Sequence, residues 1–187
     1  MASPVRIRQH SQPHARIMAW ITQYWAATPG IQVADNGTYR LDDKNEPQPD
    51  VSVWIDQPGR DRAQIDADDY LIGTPELLVE VAASTASIDL GDKKRAYQRK
   101  GVQEYLVLQG YEQQVSWFTW HAGEYHEIVA DDQGILCSRV FPGLWLDPAK
   151  FWAGDIGGLL ATLQAGLATP EHRAFVESLK RLSPDAP

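Results

Sequence analysis

Apolar residues recur at helical spacing near the start of the chain and at alternate positions further along it. Between His14 and Trp25 they fall three and four residues apart, which predicts an amphipathic helix that ends before Pro29–Gly30. The segments IQVA and TYRL flank Asp35–Asn36–Gly37, a turn signal that predicts a short hairpin. A polar loop, DDKNEPQPD, then leads into VSVWI, whose alternation predicts a strand.

The centre of the chain has the pattern of a strand, a helix and a second strand. LLVEV (77–81) is apolar except for one glutamate, and a helix is predicted from Leu90 to Lys100, with Gly101 as its C-terminal cap. EYLVL (104–108) follows as the second strand. Two strands joined by a helix in this way form a βαβ unit, whose strands are normally parallel.

The remaining patterns complete an α/β fold, with a mixed sheet flanked by helices. Residues 56–70 are polar and rich in turn formers, so they predict an irregular connection. QVSWFTW, EYHEIV and ILCSRVF are short and alternating, which predicts an antiparallel extension of the sheet. Two C-terminal helices are predicted, at roughly 155–167 and 171–182. We expect one domain over residues 1–152 and a helical appendage over residues 153–187.

Composition and charge narrow the possible functions. The 187 residues include a single cysteine, Cys137, which excludes an internal disulfide and fits a reducing compartment. No apolar run approaches the roughly 20 residues that span a bilayer, so we expect a cytoplasmic protein without a membrane partner. The net charge of −8 disfavours a broad nucleic-acid surface, although it allows a local basic patch. No glycine-rich phosphate loop is present, which disfavours a nucleotide cofactor.

Glu80 is the first candidate for chemistry because it interrupts an apolar strand. A buried carboxylate needs a cation, a metal or water at a sheet edge. Asp50 begins one strand and Lys93 lies one turn into the helix after Glu80, and this topology can bring all three to one end of a sheet. Two carboxylates and a backbone carbonyl suit Mg²⁺, which can activate water for phosphodiester hydrolysis.

These residues belong to a longer pattern: EPQPDVSV … PELLVEVAASTASIDLGDKKRAYQRKGVQEYLVL … SRVFPGLWLD. It resembles the Uma-type family, whose members are classed as restriction endonucleases of the PD-(D/E)XK nuclease superfamily. The resemblance covers roughly residues 14–152. It implies a restriction-endonuclease-like core and a metal-dependent DNA endonuclease that uses Mg²⁺, with Mn²⁺ as a possible substitute.

The resemblance also assigns roles to residues. It places the acidic metal ligands at Asp50 and Glu80, with the backbone of Val81 beside them, and the catalytic lysine at Lys93, with Lys94 as a rival. The usual lysine of the superfamily lies two residues after the glutamate, and this sequence has Ala82 there. It also departs from the Uma-type pattern: the turn after the strand reads AAST, the next strand ends in QG, and the segment before the first helix is short.

The displaced lysine and the net negative charge of the chain favour an alternative from another class of function. In that interpretation the fold is a catalytically inactive interaction or structural module. A homodimer formed through tryptophan-bearing surfaces is possible in either case. Core packing or a dimer contact explains the seven tryptophans better than base stacking does.

The run KKRAYQRK (93–100) has two interpretations. Lys94, Arg95 and Arg99 are candidate contacts to DNA phosphates, or they form a solvated helix face. Tyr97 lies four residues after Lys93, so a Tyr97 ring packed on the sheet would let Lys93 point to the site.

Other polar residues are weaker candidates. His10 and His14 have the spacing of zinc ligands on a helix, but the sequence offers no evident third ligand. Glu46 and Gln48 lie close to Asp50 in the sequence and are candidates for second contacts to it.

Overall fold

A computed structural model describes residues 6–42, 45–57, 62–83 and 88–180. The second half of the AAST turn after LLVEV lies outside these ranges, as do the last residues of the final predicted helix. The strands are β1 (Ile31–Asp35), β2 (Val51–Ile55), β3 (Ala63–Ile65), β4 (Leu71–Gly73), β5 (Leu77–Ala82), β6 (Glu104–Gln109), β7 (Gln114–His121), β8 (Glu124–Glu127), β9 (Leu136–Cys137) and β10 (Trp145–Leu146).

The helices are α1 (Gln12–Ala27), α2 (Lys94–Lys100), α3 (Pro148–Ala153), α4 (Ile156–Leu167) and α5 (Pro170–Lys180). Two π-helical turns, Ile7–Ser11 and Asp89–Lys93, lead into α1 and α2. The predicted first, central and C-terminal helices are therefore confirmed. No helix within the described ranges combines the length and the apolar character needed to cross a membrane.

The main sheet has the spatial order β1-β2-β5-β6-β7-β8. β5 and β6 are parallel and the other neighbours are antiparallel, which confirms the mixed sheet and the βαβ unit. β7 and β8 form the predicted antiparallel extension. ILCSRVF was wrongly assigned to it, because only Leu136–Cys137 is a strand and it pairs with β10 in a separate ribbon.

The hairpin predicted around Asp35–Asn36–Gly37 is wrong. β1 pairs with β2, and the TYRL segment lies beside β4. The backbone N–H of Arg40 donates to the Leu71 carbonyl at 2.8 Å, and the Leu71 N–H donates to the carbonyl of Thr38 at 3.1 Å. Tyr39 is fully buried there. Burial of this segment therefore outweighs the local turn signal.

The connection over residues 56–70 is also more regular than predicted. It contains β3, which pairs with β4 in a two-stranded ribbon. No alternation of apolar and polar residues is detectable there, because β3 is only three residues long and two of them, Gln64 and Ile65, are exposed.

Hydrophobic residues fill both faces of the sheet, as expected for central strands that are covered on two sides. One face packs against α1 and the C-terminal helices, whose Leu159 and Leu163 share the core with Trp20 and Trp117. The other face packs against α2 and contains a cluster of tyrosines. The domain boundary at residues 152/153 stays a prediction.

Candidate functional site

The pairing of β2 with β5 brings two carboxylates together. Val51 lies opposite Val79, so continuing the antiparallel register by one position places Asp50 opposite Glu80. An oxygen of the Asp50 carboxylate accepts a hydrogen bond of 2.6 Å from the backbone N–H of Val81. The side chains of opposed residues lie on the same face of a sheet, so both carboxylates are on the α2 side.

Glu80 has a cation as its partner. Glu80 is only 4% exposed, and one of its carboxylate oxygens lies 2.9 Å from the ammonium nitrogen of Lys93. The other oxygen accepts a hydrogen bond of 3.1 Å from the hydroxyl of Tyr97. The pKa of Glu80 is raised to about 7: burial raises it most, Lys93 lowers it, and the negative charges of Asp89 and Asp50 add to the rise.

Lys93 is held between two carboxylates. Its ammonium nitrogen is also 2.9 Å from a carboxylate oxygen of Asp89, four residues earlier in the π-helical turn. Burial lowers the pKa of Lys93, but the attraction of Glu80 and Asp89 outweighs it and the net shift is upward. Lys93 is therefore a charged donor at neutral pH, so it is not suited to act as a base.

The structure separates Lys93 from the other basic residues of α2. The ammonium of Lys94 lies over the ring of Phe118, 3.5 Å from its centroid, so Lys94 is directed away from Glu80. Arg95 is exposed and pairs with Asp92. Arg99 is exposed at the far end of the helix. Of the two rival lysines, only Lys93 reaches the candidate site.

The N-terminal π-helical turn closes one side of the site. A Cβ atom at Gly110 would overlap the backbone oxygen of Gln9, so the turn packs directly on the end of β6. This packing places the imidazole of His10 with Nε2 3.5 Å from a carboxylate oxygen of Asp50. The ring of His10 stacks on that of His14, with 6.0 Å between centroids.

Three of these neighbours were not predicted as site residues: Asp89, the hydroxyl of Tyr97, and His10. Asp89 and Lys93 have the spacing of an i,i+4 ion pair, a signal that was available in the sequence. The helical spacing of Tyr97 predicted its packing but not its hydrogen bond. Nothing in residues 7–11 indicates that His10 approaches Asp50.

Glu46 and Gln48 were predicted to support Asp50, and the structure pairs them with other residues. Glu46 accepts a hydrogen bond of 3.2 Å from Arg40, and Gln48 donates one of 3.1 Å to the hydroxyl of Thr38. Both partners lie in the segment that runs beside β4. Backbone hydrogen bonds to Leu71 fix the position of this segment, so Thr38 and Arg40 are available as partners for Gln48 and Glu46.

The donors of the site fit a hard divalent cation. Asp50, Glu80 and Asp89 outnumber the single ammonium of Lys93, which leaves an excess of negative charge. The N–H and C=O of a strand residue point to the same side, so the carbonyl of Val81 lies on the same side of β5 as the N–H that binds Asp50. Within the described ranges no three His, Cys, Asp or Glu side chains form a metal cage. The arrangement instead suits Mg²⁺, which keeps several waters and uses one or two carboxylates.

Comparison with known families identifies the family of this chain. The model of the Uma2 family, described as "Putative restriction endonuclease", matches residues 1–149. The chain belongs to the Uma2 family. The match includes Asp50, Glu80 and Lys93, and it confirms the resemblance drawn from the sequence motifs.

A solved structure supports the same fold. The crystal structure of "a putative nuclease belonging to DUF820 from Anabaena variabilis" is 14% identical to this chain, with a TM-score of 0.53. The alignment covers 87% of this chain and 86% of that one. At this identity the likeness establishes the nuclease-like fold and nothing finer. No curated protein matches the chain.

Proposed function

We propose that this member of the Uma2 family is a metal-dependent endonuclease that hydrolyses DNA phosphodiester bonds. The observation that carries the proposal is the opposition of Asp50 and Glu80 across β2 and β5, with the ammonium of Lys93 2.9 Å from Glu80. Family membership and the nuclease description of the structural neighbour support the class of reaction.

Asp50, Glu80 and the carbonyl of Val81 would hold Mg²⁺, with Mn²⁺ as a substitute. A bound metal of this kind polarises the phosphoryl oxygen and lowers the pKa of a coordinated water. The protein contributes the geometry. The backbone N–H of Val81 fixes Asp50, and the hydroxyl of Tyr97 fixes Glu80, so neither carboxylate has to reorganise when a cation binds.

Lys93 would act on the substrate as a fixed positive charge. Its ammonium donates hydrogen bonds to non-bridging phosphate oxygens and stabilises the negative charge that builds up during attack. Asp89 keeps the ammonium at this position through the second ion pair, and Glu80 is close enough for the lysine and the metal to act on the same phosphate.

DNA as the substrate accords with the cytoplasmic location expected from the single cysteine. The predicted homodimer is part of the proposal, and two tryptophans are available for it. Trp25 is 39% exposed and Trp120 is 38% exposed, whereas Trp20 and Trp117 are buried in the core and cannot reach a partner.

The test is nicking of a supercoiled plasmid with Mg²⁺, with Mn²⁺ and with EDTA. We expect relaxed plasmid in the first two reactions and none with EDTA. If a folded protein neither nicks the plasmid nor binds DNA at low salt, the alternative of an inactive interaction module is favoured.

A further inference from the structure

A cleft of about 520 Å³ opens beside the candidate site, between α2 and the segment that precedes Asp50. Its volume lies within the range of about 300–1,000 Å³ that is usual for pockets that bind small organic groups. Its walls carry basic side chains on α2 and apolar ones on both sides: Arg95, Arg99, Lys93, Leu41, Pro47 and Ala96. Two carboxylates also line it, and each is paired with an arginine, Asp92 with Arg95 and Glu46 with Arg40.

The cleft combines charge with an apolar surface. Arg95 and Arg99 are one helical turn apart, so both guanidinium groups extend from the same face of α2. Arg95 pairs with Asp92, whereas Arg99 has no carboxylate at ion-pair distance among the described residues. Guanidinium groups bind phosphate and also stack on planar rings, and an apolar wall accepts the face of a base.

The cleft is continuous with the candidate metal site. Lys93 and Tyr97 line it, and the same two side chains contact the carboxylate of Glu80. A group bound in the cleft is therefore next to whatever phosphate lies at Glu80 and Asp50. In a DNA strand, the nearest such group is the nucleotide adjoining the scissile phosphate.

We propose that this cleft binds one unpaired nucleotide of the strand being cut, so that the enzyme prefers single-stranded or frayed DNA to intact duplex. The inference rests on the proposed nuclease function and names its substrate. A base inside a duplex must be unstacked and turned outward before it can enter a cleft, whereas an unpaired base enters without breaking a pair.

The net charge of the protein also favours single-stranded over duplex DNA. Duplex binding depends on many phosphate contacts, and a net charge of −8 with a short run of cations on α2 provides few of them. A site that binds one nucleotide and its flanking phosphates needs only those few cations. With two phosphates contacted, the logarithm of affinity should fall with the logarithm of salt concentration with a slope of about −1.4.

The experiment measures binding by fluorescence anisotropy in EDTA, which prevents cleavage by a metal-dependent enzyme. A labelled single-stranded oligonucleotide is compared with a blunt hairpin duplex that contains the same sequence. We expect the single strand to bind at least about tenfold more tightly, since the duplex bears the cost of unstacking a base. Nicking of a plasmid with Mn²⁺ is measured on the same preparations.

The matched variants are Arg99→Gln and Lys100→Gln. Both remove one positive charge from the end of α2, but Lys100 does not line the cleft. We expect Arg99→Gln to weaken single-strand binding about tenfold, the usual effect of losing a charge-assisted hydrogen bond, and Lys100→Gln to change it by less than about twofold. Circular dichroism confirms that each variant is folded.

The outcomes separate the inference from the function on which it rests. Equal affinity for single strand and duplex, with nicking intact, overturns the inference and leaves the nuclease proposal standing. Single-strand binding that Arg99→Gln does not weaken also overturns it, because the nucleotide then binds elsewhere. A folded wild type that neither binds nor nicks DNA overturns both, and a partner protein becomes the occupant to seek.

Discussion

The ammonium of Lys93 lies 2.9 Å from a carboxylate oxygen of Glu80, although the two residues stand on different elements, a π-helical turn and a central strand. This contact explains how a carboxylate is accommodated in an apolar strand. It also means that the residue expected to assist catalysis stabilises the fold, so its two roles have to be separated by experiment.

Replacing Lys93 by methionine tests that separation. We expect hydrolysis to fall by about 10²–10³-fold, because a fixed positive charge at the phosphate is lost. The free energy of unfolding should also fall, by about 1–3 kcal/mol, since Glu80 and Asp89 lose their cation; the loss is moderated by the 32% exposure of the lysine side chain. Plasmid nicking and urea denaturation measure the two effects.

Lys94→Met is the control for that experiment. Lys94 lies over Phe118 and makes no ion pair with Glu80 among the described contacts, so its removal should change nicking by less than about threefold. A Lys94 variant that loses as much activity as the Lys93 variant would show that the catalytic lysine has been assigned wrongly.

Gly110 should tolerate no side chain. A Cβ atom there would overlap the backbone oxygen of Gln9, so Gly110→Ala must displace the N-terminal turn and with it His10. We expect a loss of about 1–3 kcal/mol of stability, as for other overpacked sites. Gly157→Ala, in an exposed part of α4, is the matched control and should be neutral or stabilising. Equal midpoints of urea denaturation for the two variants would contradict the packing described at Gly110.

Much of the fold could be predicted because its centre has strong patterns. Leu77–Ala82 and Glu104–Gln109 are apolar runs separated by a capped helix, and local pattern and tertiary structure agree there. The turn signal at Asp35–Asn36–Gly37 does not reveal which strand the next segment pairs with. The burial of Tyr39 beside β4, a contact distant in the sequence, decides the path of the chain. β3 was too short for any periodicity to appear.

Some residues of the candidate site could likewise be predicted from the sequence, and others could not. Glu80 was recognisable because a charge inside an apolar strand requires a partner, and Asp50 and Lys93 followed from the motif. The choice of Lys93 over Lys94 needed the structure, since adjacent residues on a helix differ by about 100° in direction. His10 approaches Asp50 only because the N-terminal turn folds over Gly110, a contact that spans about a hundred residues of sequence.

Glu104 should make stability depend on pH. Its carboxylate accepts hydrogen bonds from the hydroxyl of Ser138 at 2.7 Å and from the backbone N–H of Arg139 at 2.6 Å, yet complete burial raises its pKa from 4.5 to about 7. Between these two values the folded state holds the proton more tightly than the unfolded state. The stabilising contribution is therefore full below pH 4.5 and is lost as the pH rises through about 7.

We expect this loss to amount to about 2–3 kcal/mol between pH 5 and pH 8. Glu104→Gln cannot ionise, so its free energy of unfolding should fall less than that of the wild type over this range. Glu112→Gln, on an exposed turn, should follow the wild type. Parallel curves for the wild type and Glu104→Gln, measured by urea denaturation at several pH values, would show that Glu104 does not titrate in this range.

The most direct test of the proposed site is calorimetric titration of Mn²⁺ into the wild type, Glu80→Gln and the exposed control Glu124→Gln. Glutamine keeps the size of Glu80 and removes its charge, so a folded variant should result. We expect the wild type and Glu124→Gln to bind one ion and Glu80→Gln to bind it at least about tenfold more weakly, the loss expected for a charged ligand. Equal Mn²⁺ affinity in all three proteins, or none in a folded wild type, would contradict a metal site at Asp50 and Glu80.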